Sequence, residues 1–428
     1  MPKVSTWIDH QARRAFFAAA ARIRHGHLEI VCPDRTHSFG TPGSGPAGML
    51  CVHDERLFRR ALTGGDLALG EAFMDGDFSS PDLVALLRVV VRNTSVFTAL
   101  NGPWSWLGRQ TARLAHRARK NTRTGSRRNI AAHYDLGNEF FALFLDREMA
   151  YSAAWFESPD DTLEQAQIQK FDRICRKLAL TPSDHVLEIG TGWGGFAAYA
   201  AQRYGCRITT TTISQQQFDG ARERVGALGG DAASRVTLLL EDYRDLKGQF
   251  DKLVSIEMFE AVGLEHYDTF FRTCDRLTAS DGAALLQLIT MNDQDFHGSY
   301  RGSADWIQTY IFPGSELGSL SEILRSLGRV TTLRPYHLED LGWHYARTLH
   351  HWRERFLDRR EEVVRLGMDT RFLRMWDLYL AYCEAGFAER HISDVQLMLT
   401  RPHHDRAYFS DAEARVSMPN ERTPTNFV

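Results

Sequence analysis

The chain has 428 residues, of which 43% are hydrophobic and 25% charged, and its formal net charge is −3. That supply of apolar side chains is enough for two or more packed domains and excludes a disordered polypeptide. The cysteines Cys32, Cys51, Cys175, Cys206, Cys274 and Cys383 are scattered without paired metal-ligand spacing, so no structural zinc or other metal is expected and the pattern suits a reducing cytoplasm.

Residues 1–17 are interrupted by Asp9, His10, Arg13 and Arg14 and lack the apolar core of a signal peptide. No later segment offers the roughly 20 apolar residues needed to cross a bilayer. The expected location is therefore cytoplasmic, with any membrane contact peripheral. Residues 1–105 read as a small mixed α/β domain: Pro42-Gly43-Ser44-Gly45-Pro46 signals a loop, and helical periodicity appears at 57–62 and 83–91.

Residues 106–128 read as a basic linker. Arg109, Arg113, Arg117, Arg119, Lys120, Arg123, Arg127 and Arg128 occur there without an acidic residue between them, near Trp104 and Trp106. Such a stretch suits an anionic lipid surface, where each basic residue contributes about 1 kcal/mol. It equally suits a solvated linker. No nucleic-acid-binding module accompanies it, so no nucleic-acid partner is expected.

From 129 to 428 the chain alternates strands and helices in the doubly wound manner, with strands expected at 185–189, 207–213, 235–240, 252–256, 283–289, 330–333 and 395–399. The run Val186-Leu187-Glu188-Ile189-Gly190-Thr191-Gly192-Trp193-Gly194-Gly195-Phe196 reads as a buried strand, a glycine turn and a helix start. Glycines permit the tight turn and let a ligand approach bare backbone, and Glu188 adds a carboxylate beside them. The next strand ends in the hydroxyls of Thr212 and Ser214 and not in an acid, which favours S-adenosylmethionine over a nicotinamide dinucleotide. Ligands of open α/β sheets sit beyond the strands' carboxyl ends. Residues 190–194, 212–217, 242–243 and 257–260 are therefore expected to converge on one crevice.

Separated motifs then coincide, in order, with one family. They are Leu69-Gly70-Glu71-Ala72-Phe73-Met74-Asp75-Gly76, His133-Tyr134-Asp135-Leu136-Gly137-Asn138, Met149-Ala150-Tyr151-Ser152, the glycine turn, Thr212-Ile213-Ser214 with Gln217, and Glu241-Asp242-Tyr243-Arg244-Asp245. Glu257-Met258-Phe259-Glu260, Tyr310-Ile311-Phe312-Pro313-Gly314 and His344-Tyr345-Ala346-Arg347-Thr348-Leu349 follow. Over nearly its whole length the chain resembles the cyclopropane fatty acid synthases and their mycolic acid and fatty acid methyltransferase relatives.

The resemblance implies a Rossmann-like class I methyltransferase sheet with helical insertions. It implies contact of Tyr134, Tyr151, Ser152, Gly190, Gly192, Thr212 and Gln217 with S-adenosylmethionine, Asp242 and Tyr243 near adenine, and an unsaturated phospholipid acyl chain at a membrane surface as substrate. Homodimers occur among the long relatives, making a homodimer the candidate assembly.

In this family a poorly nucleophilic alkene attacks the sulfonium methyl and leaves a carbocation, so the site needs a dry pocket, aromatic faces and a base. Phe259, Trp306, Tyr310, Phe312, Tyr345 and Trp352 are candidate lining. Cyclopropane-forming members hold a bicarbonate by a Cys, a Glu, a His, a Tyr and a backbone group. The pattern keeps Glu260, Tyr345 and the backbone of Ile289 but puts Ala153 at the Cys and Gln287 at the His. Those two replacements weaken the case for bicarbonate, and Glu260 becomes the expected direct proton acceptor.

The local sequences 257–263 and 287–290 look more like the tuberculostearic-type subgroup, leaving cyclopropane and methyl- or methylene-branched products both open. The competing readings are a small-molecule N- or C-methyltransferase and a non-catalytic binding relative.

Overall fold

The computed structural model of the protein describes residues 7–98, 136–297, 306–402 and 408. The basic stretch 106–128 and Tyr134 lie outside the described residues.

The N-terminal unit opens with a helix, Trp7–Ala20, followed by β1 (His27–Val31), β2 (Thr36–Gly40) and β3 (Ala47–Val52). A helix Arg56–Met74, β4 (Phe78–Ser79) and helices Leu83–Arg92 and Thr94–Thr98 complete it. The strands form one sheet in the order β2-β1-β3-β4. Leu28 and Ile30 of β1 alternate inward with Leu50 and Val52 of β3, and Phe16, Phe58 and Leu86 from the helices cover that face. Gly65 breaks the long helix with φ 59 and ψ −142, a conformation open chiefly to glycine. The helix starting at Leu83 is capped by Asp82, whose side chain accepts from the Ala85 amide.

The second unit is built on β5 (His185–Ile189), β6 (Arg207–Thr212), β7 (Val236–Leu240), β8 (Phe250–Ile256), β9 (Thr278–Met291), β10 (Gly318–Ser319), β11 (Arg334–Asp340) and β12 (Ile392–Thr400). The order is β11-β12-β9-β8-β5-β6-β7, with β10 added on β9. β5 pairs in parallel with both β6 and β8, so the connection reverses direction across the sheet at its carboxyl end, the place where such folds open a crevice. β12 runs antiparallel to β9, and β11 antiparallel to β12. Strands expected from the sequence match β5 to β9 and β12 to within a few residues, except that β9 begins five residues early. The strand expected at 330–333 is displaced: the helix Leu320–Val330 runs through its first residue, and β11 begins at Arg334.

The two units pack together. Helix Thr370–Ala388 lies against helices Leu83–Arg92 and Arg56–Met74. Tyr310 Oη donates to Glu71 Oε1 at 2.6 Å. A Cβ on Gly70 would fall 2.3 Å from Trp306, so the small residue is what permits that contact. Among the described residues, no helix is long and apolar enough to cross a membrane.

Candidate active site

The cavity of about 640 Å³ opens at the carboxyl end of β5. Gly190, Gly192 and Trp193, Thr212 and Gln217, Asp242 and Tyr243, and Glu257 and Glu260 all line it, so the four segments expected to converge do so. Gly190 takes φ 101, Gly192 φ 53 and Gly194 φ 81, which turns the chain from β5 into helix Gly195–Tyr204. A Cβ on Gly192 would meet nothing within 4 Å, because that position faces the open cavity.

The hydroxyl of Thr212 donates to Gln217 Oε1 at 2.9 Å, fixing the amide at the cavity wall. The Asp242 carboxylate is held by Arg244 through Nε at 2.8 Å and Nη2 at 2.6 Å, while the Tyr243 ring meets Phe270 edge-on. Tyr151 lines the cavity with its hydroxyl 2.9 Å from that of Tyr379. The Ser152 hydroxyl accepts from Lys170 Nζ at 2.6 Å.

Glu188 lies under the glycine turn with Oε2 buried and without a hydrogen-bond partner. Burial pushes its pKa up to about 8, against the opposing effects of a Thr210 hydrogen bond and of Lys170. An orphaned carboxylate oxygen beside a bare-backbone turn fits a ligand that carries an ammonium group, as S-adenosylmethionine does. Gly190, Gly192, Gln217, Tyr151 and Ser152 line the same cavity beside Glu188.

Beyond the cradle the wall becomes a buried polar cluster. Glu257 follows β8 at φ 47, left-handed backbone that is uncommon for a residue with a side chain. Its amide donates to the Gln287 carbonyl at 2.8 Å. Its Oε1 accepts from the Ala153 amide at 2.7 Å and from Gln287 Nε2 at 2.8 Å, and its Oε2 accepts from Tyr345 Oη at 2.7 Å. Gln287 Nε2 also reaches Asp394 Oδ2 at 2.9 Å.

The orientation of that amide is fixed from behind, because Gln396 Nε2 donates to Gln287 Oε1 at 3.0 Å and Lys177 Nζ donates to Gln396 Oε1 at 2.7 Å. Glu260 sits one turn on from Glu257. Its Oε1 accepts from the Ile289 amide at 2.6 Å, and its Oε2 is buried without a partner. Burial, then the neighbouring Glu257 charge, pushes Glu260 up to about 8.

The expected catalytic residues thus fall into two sets, Glu260 bonded to Ile289, and Tyr345 and Gln287 each bonded to Glu257. Gln287 does not line the cavity and reaches it only through Glu257. Of the six aromatic residues expected to line the cavity, Phe312 and Tyr345 do so. Phe259 packs instead among Tyr267, Phe270 and Phe271, and Trp352 stands behind Tyr151 and Tyr345. Trp306 rests on Gly70, and Tyr310 is tied to Glu71.

Tyr379, Phe387 and Phe97 are among the aromatic residues that line the cavity instead. Ala61, Gly65, Leu69 and Val90 join Phe97 from the N-terminal unit, so both units wall one cavity. Asp394 and Lys170 escape a sequence reading because each looks like an ordinary surface charge on its element, and Glu257, though expected in the crevice, carries no role of its own there. Only the left-handed backbone at Glu257 sets it apart, and that is a conformational signal.

The family described as mycolic acid cyclopropane synthetase matches residues 121–397. The tuberculostearic acid methyltransferase UfaA1 of Mycobacterium tuberculosis is 40% identical over 385 residues, 88% of each chain. The cyclopropane-fatty-acyl-phospholipid synthase of Escherichia coli K12 is 37% identical over 361 residues, 84% of this chain and 89% of that one. The solved mycolic acid cyclopropane synthase CmaA1, complexed with SAH and CTAB, superposes with a TM-score of 0.60 at 30% identity, covering 64% of this chain and 98% of that one. With its cradle, its sheet and these relatives in accord, the chain belongs to the mycolic acid cyclopropane synthetase family and is an S-adenosylmethionine-dependent methyltransferase.

Proposed function

We propose that the protein adds a one-carbon unit to the cis double bond of an unsaturated phospholipid acyl chain at a membrane surface. The observation that carries this reading is the single cavity in which the glycine turn, an apolar wall from both units and two enclosed carboxyl groups meet. A small polar amine substrate would not call for Ala61, Leu69, Val90, Phe97 and Phe312 along its path. The names of the relatives, one acting on fatty acyl phospholipid and one making tuberculostearic acid, point the same way.

S-adenosylmethionine supplies an electrophilic methyl carbon. The chain's own residues have three tasks. Gly190, Gly192 and Gln217 orient the donor, and Glu188 offers its orphaned oxygen to the donor's ammonium. Tyr151, Tyr379, Phe312 and Phe387 keep water from the reacting carbon and present ring faces to positive charge that develops on the acyl chain. Glu260 and Glu257 are the two carboxyl groups on the wall where the cation gives up its proton, and one of them takes it.

Peripheral binding to the membrane and self-association as a homodimer belong to the same reading. The basic sequence 109–128 supports the first, and the assembly of long relatives the second.

Methyl-labelled S-adenosylmethionine incubated with the protein and unsaturated phosphatidylethanolamine or phosphatidylglycerol vesicles tests the reading. Label is expected in the acyl chains of unsaturated vesicles and not of saturated ones. No label in any unsaturated lipid would refute it.

A further inference from the structure

The carboxylate of Glu257 sits in a cage of donors. The Ala153 amide, Gln287 Nε2 and Tyr345 Oη lie at 2.7, 2.8 and 2.7 Å from its two oxygens, and Asp394 shares the Gln287 amide, 2.9 Å from Nε2. Two N–H groups and an O–H converging in this way form a binding site for a small oxyanion. Here the site is filled from within the chain.

The positions that the family resemblance gives to bicarbonate are accounted for without it. Ala153, Gln287 and Tyr345 are bonded to Glu257, and Glu260 is bonded to the Ile289 amide and keeps one orphaned oxygen, so the donors an anion would need are taken. The residues present therefore do not fit a diffusible bicarbonate.

We propose that Glu257 is the proton acceptor of the reaction, a built-in carboxylate that makes the enzyme independent of bicarbonate. This inference rests on the acyl-chain reading above. In the step it assigns, a C–H bond breaks either on the transferred methyl, where the freed pair can close a ring, or on a chain carbon next to the cationic carbon, where it can form a double bond, and the electron pair stays on the chain. That pair closes the ring or forms a double bond, and the proton passes to a Glu257 oxygen. Neither an oxidant nor a second reactant is needed.

Hydrogen bonding separates the two neighbouring carboxyl groups. Glu260, pushed up to about 8 and given one amide donor, keeps its own proton near neutrality and cannot accept another. Burial raises Glu257 too, opposed by Tyr345, the Ala153 amide, Lys170 and Gln287; what sets it apart is that three hydrogen-bond donors meet its oxygens, against one amide on Glu260. Asp394, raised by burial and by Glu257, is the partner that retains a proton.

The backbone makes a direct test available. At φ 47 a glycine is conformationally at ease, so Glu257→Gly empties the cage without straining the chain. Labelled transfer to unsaturated vesicles would be measured for the full chain, Glu257→Gln and Glu257→Gly, each in carbonate-free buffer and with added bicarbonate or formate. Donor binding would be followed by calorimetry with S-adenosylhomocysteine.

The wild-type chain is expected to run equally well with and without bicarbonate. Glu257→Gln should lose about 10²–10⁴-fold in turnover, the usual worth of a positioned base, while still binding S-adenosylhomocysteine. Glu257→Gly should be as slow and recover in part with formate or bicarbonate. Wild-type activity that disappears in carbonate-free buffer, a Glu257→Gln turnover near wild type, or a Glu257→Gly variant that no anion rescues would each overturn the inference. If the wild-type chain labels no lipid under any condition, the acyl-chain reading itself has failed.

Discussion

Lys170 Nζ donates to the Ser152 hydroxyl at 2.6 Å and is the buried cation that faces Glu257, Asp146, Asp394 and Glu188. It stands on the inner face of helix Leu163–Lys177, and burial lowers its pKa to about 8. A carboxylate cluster of this density tolerates burial only with such a counter-charge. Lys170→Met is expected to cost about 3–5 kcal/mol, the usual loss when one side of a buried charge system is removed. Urea denaturation of the two chains at neutral pH measures it, and a loss within experimental error would show the cluster to be neutral.

The glycine turn gives a second expectation. Gly192 faces open cavity at φ 53, so Gly192→Val would add both backbone strain and bulk where the donor should lie. Affinity for S-adenosylhomocysteine should fall about tenfold or more, since about 1.4 kcal/mol corresponds to a factor of ten. Titration calorimetry checks this, and unchanged affinity would place the donor elsewhere.

A third concerns pH. Burial pushes Glu260 and Glu188 up to about 8 in the folded chain from the ordinary 4.5, so between those limits the folded state binds more protons than the unfolded one. Stability contributed by the raised groups is present below about 4.5 and is lost progressively as pH rises toward about 8, by up to about 1.4 kcal/mol per pH unit for each group. In the ligand-free protein, Glu260→Gln should flatten this slope and be the more stable chain near pH 8. Denaturation midpoints across that range would show it. Parallel profiles for the two chains would contradict the placement of Glu260.

The joint between the two units gives a fourth. Gly70→Ala would set a Cβ about 2.3 Å from Trp306 and force the helix away from the cavity wall. Overpacking of this kind typically costs about 1–3 kcal/mol. Because Leu69 and Gly65 of the same helix line the cavity, the apparent KM for vesicles should rise while affinity for S-adenosylhomocysteine stays unchanged. A matched loss in both would mean that the N-terminal unit does not wall the acyl path.

Much of this architecture could be read from the residues. β5 is apolar on both faces because helices cover both, and its glycines announce the turn that follows. β11 was harder to place because it is an edge strand: Tyr336 and Leu338 are exposed, and its composition, Arg-Pro-Tyr-His-Leu-Glu-Asp, lacks the continuous apolar run of the central strands. The resemblance places Glu260 and the Ile289 backbone around one anion, and the structure bonds them to each other directly.

The Glu257 cage could not be read in that way, because its parts lie at 153, 257, 287, 345 and 394 and meet only after the sheet closes. Aromatic residues fared similarly. Phe259 and Trp352 carry the same chemistry as Phe312 and Tyr379, and packing alone decides which of them face the cavity.

The most direct test of the account is mass spectrometry of acyl chains from unsaturated vesicles treated with the protein and trideuteromethyl S-adenosylmethionine. A one-carbon increment bearing the donor's deuterium at the former double bond is predicted, with saturated chains untouched and the same result in carbonate-free buffer. Deuterium found only in headgroups or in a small amine, or in no lipid at all, would contradict it.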